Sequence, residues 1–260
     1  MTMLFDSHAH YDDEKFDNIR EEILSGITSG DNICPCGVGY IVNAGCDIQS
    51  SRFSVALSEK YGFMYAAVGI HPHEAQNADE KWFEEIESML SHPKVCAIGE
   101  AGLDFHYDFS PREIQKKVFE RQMLMSQKTG YPIIVHDREA HGQTMEVVSQ
   151  YKTVGVMHSF SGSCEMAKEL IKKGWYVSYS GSVTFKNAVN LAETVQYVPD
   201  DKLLIETDAP YLAPVPYRGQ LNTSKHAYAT AQKIADLKHK DVEYILEITQ
   251  SNAKKLFNIQ

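Results

Sequence analysis

Short apolar runs alternate with longer amphipathic stretches along the whole chain. Eight of the short runs, at 3–8, 39–45, 63–70, 95–100, 132–136, 154–159, 175–181 and 202–208, are nearly continuous in apolar residues and rich in Val and Ile. That is the pattern of parallel strands covered on both faces. Between them apolar residues recur at helical spacing. Phe16, Ile19, Ile23 and Ile27 fall on one helix face, as do Val118 and Met125 within REIQKKVFERQMLMSQK. Ser110 and Pro111 read as the N-cap and first residue of that second helix, and a closing pair is expected over 224–239 and 241–256. Eight alternations predict an α/β fold, a (β/α)8 TIM barrel formed by one domain over 1–260. A doubly wound sheet shares this periodicity and is the rival.

The polar residues that stop these runs carry the chemistry. The first run ends in Asp6, His8 and His10, and the third leads into His71 and His73. The fourth ends at Glu100, with Asp104 beyond it, and the fifth at His136, with Arg138 after it. The sixth ends at His158 and the eighth in Glu206-Thr207-Asp208. Barrel enzymes build their active sites from the C-terminal ends of the strands. Each residue alone has a plainer reading: a satisfied histidine, a βα turn at GEAGLD, a cap ahead of Pro210. Their coincidence is informative, because imidazoles and carboxylates are costly to desolvate without partners. The set His8, His10, Glu100, His136, His158 and Asp208 exceeds what one cation with open positions would use. A two-metal site with a carboxylate bridge fits it. Mixed nitrogen and oxygen ligands suit Zn, Mn, Fe or Co, whereas Mg prefers oxygen.

Composition adds bounds. With 260 residues, 43% hydrophobic and 23% charged, the chain reads as a globular protein. It has no membrane-length apolar run and no signal-peptide pattern at its start, so a cytoplasmic location is expected. The net charge of −10 argues against an extended nucleic-acid-binding surface but not against a metal-lined pocket. The five cysteines suggest no disulfide framework. Cys34-Pro35-Cys36 could offer two thiolates to zinc, but no second such pair exists to complete a site, and a turn with reduced thiols is the plainer reading.

FDSHAH, GIHPHEA, IGEAGLD, IIVHDREA, MHSFSG and IETDAPYLAP, in this order and at these intervals, resemble the TatD family of metal-dependent deoxyribonucleases within the amidohydrolase-like barrels. The resemblance spans Asp6 to about Asn222. It implies a distorted TIM barrel with two divalent metals, Mg, Mn or Zn, at its mouth. His8, His10 and Asp208 would hold the first metal, His136 and His158 the second, and Glu100 would bridge them. Asp208 would also orient or deprotonate the hydrolytic water, and His71 would face the scissile phosphate. Glu206, Asp104 and Arg138 would orient ligands or hold substrate, with Asp104, Arg138 and Arg218 on the substrate side and Asp6 and Glu206 supporting the ligands. For His73 a helix-start role competes with function. The implied reaction is 3′-to-5′ exonucleolytic hydrolysis of single-stranded DNA, with some action on RNA. No membrane partner is implied, and a monomer is compatible with everything above. Phe105, His106 and Tyr107 are placed to stack on bases or to pack locally.

One segment departs from the family. Its basic RGKRNEP-like stretch reads here RGQLNTS: Arg218, Gly219 and Asn222 match, while Gln220 and Leu221 replace two cations. An insertion-like stretch over 27–42 carries the Cys-Pro-Cys pair. These departures leave open a hydrolase of a lactone, amide or aminoacyl ester using the same metals. A non-enzymatic binding module is disfavoured because all six candidate ligands are present.

Overall fold

The computed structural model describes residues 2–260. Eight parallel strands lie in sequence order in one sheet: β1 (Leu4–Ala9), β2 (Val38–Ala44), β3 (Met64–Val68), β4 (Val95–Asp104), β5 (Ile133–Arg138), β6 (Gly155–Met157), β7 (Tyr176–Tyr179) and β8 (Leu203–Ile205). Just past β8, Ala209 bridges in parallel to Ala9. The His10 amide donates to the Ala209 carbonyl at 2.7 Å and the Asp208 amide to the His8 carbonyl at 3.0 Å. The two edges of the sheet therefore meet, and the fold is a nearly closed (β/α)8 barrel. The doubly wound alternative is excluded by this seam.

The connecting helices are α1 (Arg20–Gly26), α2 (Ile48–Lys60), α3 (Glu80–Met89), α4 (Arg112–Thr129), α5 (His141–Gln150), α6 (Cys164–Lys172), α7 (Val189–Tyr197), α8 (Ala227–Lys238) and α9 (Val242–Phe257). Several start at side chains that satisfy free backbone amides. Asp47 accepts from the Ser50 amide at 2.7 Å, Asp79 from Trp82 at 3.1 Å and Ser163 from Met166 at 3.2 Å. Every strand contributes to one apolar cluster, including Phe5, Val42, Ala67, Ile134 and Leu204, and Phe257 from α9 joins it. A larger cluster packs the outer strand faces against the helices. Among the described residues no helix is long and apolar enough to cross a membrane.

Three expectations need correction. The first helix begins only at Arg20, after a separate 3-10 turn over Glu14–Phe16. Arg20 draws the intervening chain into a loop by donating to the carbonyls of Tyr11, Asp12 and Asp13. Ser110 does not cap α4, since Pro111 holds that position; the Ser110 hydroxyl instead donates to the His73 carbonyl at 2.8 Å and accepts from Gln76. Finally, β4 does not stop at Glu100 but continues to Asp104, with a register slip against β5 between Ile98 and Ala101.

Asp6 reinforces the seam. Its fully buried carboxylate accepts from the Thr207 amide at 2.9 Å and the Thr207 hydroxyl at 2.6 Å. Asp6→Ala strands two buried donors, at a cost of about 3 kcal/mol. We expect Asp6→Ala to lower the melting temperature by roughly 10 °C in thermal unfolding. Asp6→Asn keeps one acceptor oxygen and should lose far less.

Candidate metal centre

The polar strand ends converge on Glu100, which is 2% exposed. Its Oε2 faces His8 Nε2 at 3.2 Å and His10 Nε2 at 3.3 Å. Its Oε1 faces His136 Nδ1 at 2.8 Å, His158 Nε2 at 2.8 Å and, less closely, His71 Nε2 at 3.5 Å. Asp208 Oδ1 lies 3.4 Å from His10 Nε2 and 3.7 Å from His8 Nε2. The sets His8–His10–Glu100, His8–His158–Asp208 and His71–Glu100–His136 are each compact enough to hold a cation.

Local backbone explains these positions. Gly99 and Gly102, with φ of +140° and +142°, flank the slip that turns Glu100 into the barrel. Asp208 adopts φ of +58°, uncommon for a residue other than glycine, and the seam hydrogen bond from its amide holds it there.

Outer hydrogen bonds set the ring orientations. His10 Nδ1 donates to the Ala44 carbonyl at 2.9 Å, and His158 Nδ1 to Glu206 Oε1 at 3.2 Å. The same Glu206 oxygen accepts from the Ser159 amide at 2.7 Å. His136 Nε2 donates to Asp104 Oδ2 at 3.2 Å. Each ring therefore turns its second nitrogen toward Glu100, where either a proton or a metal ion supplies the positive charge that the carboxylate faces. The His8 and His10 Nε2 atoms are 2.9 Å apart, and His8 Nδ1 and Glu206 Oε2 are buried without a hydrogen-bond partner. Imidazole and carboxylate donors gathered this way fit a divalent cation.

The titration shifts reflect the same crowding. Burial opposes ionisation of Glu100, but the His158, His71 and His8 imidazoles outweigh it and hold the carboxyl well below its usual range. Burial likewise opposes protonation of His158, yet Glu100 and Glu206 raise it well above the ordinary histidine value. His10 is also raised well above it, as Cys46, Asp208 and Glu100 overcome burial. Burial, aided by His158, lowers His8, and burial lowers His71 further despite Glu100. Burial lifts Asp6 to about 7.

The remaining candidates divide. Asp104 turns inward instead of toward substrate: Oδ2 accepts from His73 Nε2 at 3.0 Å and from His136, and Oδ1 from the His106 and Tyr107 amides. His73 is thereby tied to the site, while still standing in the 3-10 turn Pro72–Asn77. Asp6 supports Thr207, next to Asp208, and none of the imidazole rings. Arg138 and Arg218 are exposed cations outside the cluster, lying over the rings of Tyr107 (4.6 Å) and Phe185 (3.9 Å). Phe105 is buried, whereas Tyr107 is exposed. The Cys34 and Cys36 sulfurs are 3.6 Å apart, and every metal-capable grouping found among the described residues lies at the barrel mouth, not at this turn.

Sequence reasoning missed several supports. Gln122 on α4 pins the Ile70 backbone in both directions at 2.9 Å, positioning His71. Gln115, seven residues earlier on the same helix, does the same for Asp104. Cys46 approaches His10 Nδ1 at 3.8 Å. Asn222 ties the loop after β8 to the Thr207 carbonyl at 2.9 Å. The seven-residue spacing of the glutamines, in phase with the apolar face of α4, was the available signal.

A (β/α)8 barrel with histidines and carboxylates converging at the C-terminal ends of its strands defines a metal-dependent hydrolase. Residues 5–258 match the model of the TatD-related DNases, and the chain belongs to that family. It is 40% identical to the uncharacterized metal-dependent hydrolase YabD of Bacillus subtilis, over 99% of this chain and all of that protein. It is 33% identical to the uncharacterized metal-dependent hydrolase YcfH of Escherichia coli, over 98% of this chain and 96% of that one. The crystal structure of the Escherichia coli TatD homologue YjjV superposes with a TM-score of 0.90 at 27% identity, covering 99% of this chain and 98% of that one.

Proposed function

We propose that the protein is a two-metal phosphodiesterase that removes nucleotides from the 3′ end of single-stranded DNA and, more weakly, RNA. The observation that carries this reading is the division of Glu100, with one oxygen toward His8 and His10 and the other toward His136 and His158. His8, His10 and Asp208 would hold one divalent ion, His136 and His158 the other, with Glu100 shared. Bound ions supply Lewis acidity to a phosphoryl oxygen and a water acidic enough to attack phosphorus. Asp208, with its side chain 16% exposed, is the more solvent-open carboxylate of the proposed ligand set and would accept the proton of an attacking water. His71 accepts the His73 amide at Nδ1, so its Nε2 carries the proton and presents it at the mouth, 3.5 Å from Glu100 Oε1. Arg138 and Arg218 give the rim positive charge where the chain is otherwise acidic. The five cysteines are free, which supports a reducing, cytoplasmic setting.

The test is turnover on 3′- and 5′-labelled single strands with Mg, Mn or Zn. Stepwise shortening from the 3′ end that stops with chelation and in His8→Ala is expected. Lactone or ester hydrolysis without DNA cleavage would overturn the reading. Glu206→Gln, which weakens the acceptor orienting His158, should lower metal affinity about 10- to 100-fold in a metal titration.

A further inference from the structure

Two large aromatic side chains stand open beside the centre. Tyr107 and Phe109 are 48% and 59% exposed, and their rings stack at 5.3 Å with 22° between planes. A single exposed ring is ordinary, but two rings stacked on each other and held beside the polar cluster present a fixed flat apolar face to a ligand. His73 meets both rings edge-on, at 5.5 Å and 4.7 Å. Through Asp104, His73 is joined to His136, which lies against Glu100. The Arg138 guanidinium lies over the Tyr107 ring, adding positive charge at the same place. The segment is fixed, because Asp104 Oδ1 accepts from the Tyr107 amide at 2.9 Å and Arg112 donates to the Phe105 carbonyl at 3.2 Å.

We infer that Tyr107 and Phe109, with Arg138, form a stacking platform for a base of the single strand whose phosphate enters the metal centre. The inference rests on the phosphodiesterase reading and names the subsite that reading lacks. Aromatic faces accept any base, and the guanidinium suits the adjoining phosphate, so the platform favours unpaired nucleic acid over a duplex with its bases stacked inside.

The experiment compares wild type with Tyr107→Ala/Phe109→Ala and Tyr107→Phe. Steady-state cleavage of a labelled single-stranded oligonucleotide is measured with Mg. Anisotropy of the same oligonucleotide and of an abasic one is measured in chelator. The double variant should raise KM about tenfold with kcat little changed, as expected for lost base stacking, while Tyr107→Phe stays near wild type. In chelator the wild type should bind the normal strand about tenfold tighter than the abasic strand, and the double variant should lose that preference. A double variant with wild-type KM and wild-type preference overturns the platform and leaves the nuclease reading standing. A wild type that neither cleaves the strand nor prefers it to the abasic one overturns both. Both side chains are exposed, so the variants should fold, and equal melting temperatures check this.

Discussion

Glu100→Gln is expected to reduce turnover by about a thousandfold or more and to leave the protein with at most one tightly held metal. The substitution keeps shape and volume but removes the charge that five imidazole nitrogens face. A carboxylate offers lone pairs to both sides, whereas an amide presents an N–H to one of them. An amide nitrogen cannot ligate a cation, so a metal on that side would lose its shared anionic ligand. Loss of roughly 4 kcal/mol of transition-state charge stabilisation corresponds to that thousandfold factor. Metal per chain after dialysis, together with turnover, checks the result. Two metals retained with full affinity would remove Glu100 from the bridging role.

Gly102→Ala is expected to be the most damaging single-methyl change near the site. Gly102 pairs with His136 across β4 and β5 at φ of +142°, and an added Cβ would fall 2.0 Å from the His136 carbonyl oxygen. Neither partner can yield, because both are backbone in the middle of a barrel wall. Overpacking together with a strained dihedral should cost about 4 kcal/mol, lowering the melting temperature by roughly 10 °C or more. His136 would move with its strand, so metal affinity should fall alongside stability. Thermal unfolding read with a metal titration tests both consequences.

The histidines were legible because strand geometry puts His8 and His10 on one side and because each candidate interrupts an apolar run. The barrel followed from counting those runs, but its closure did not. The Ala9–Ala209 bridge joins residues from opposite ends of the chain, which no local period records. Glu100 stands in a different local setting from the one its apolar run implies. It is expected at the end of a strand, whereas it sits inside a ten-residue strand whose register slips beside it. Asp104 looked open to substrate because sequence cannot show that both its oxygens are already engaged. Gln115 and Gln122 belong to no motif in the sequence, and only their burial against β-strand ends reveals their use. The apolar spacing from Phe16 to Ile27 overstates the first helix because it continues through a loop that Arg20 ties down.

The seam also sets a time at which the site can exist. Asp6 and Thr207 are 201 residues apart, and the contacts between them place Asp208 beside His8 and His10. Contacts of such separation form late, because much chain must be ordered before they gain anything. A nascent chain already carries His8, His10, Glu100, His136 and His158 before the eighth strand has been made. Until Asp208 emerges and the edges join, those side chains line an unfinished wall. Bringing all six candidate ligands together therefore requires the whole barrel, and a chain stalled before the eighth strand would leave the cluster without Asp208.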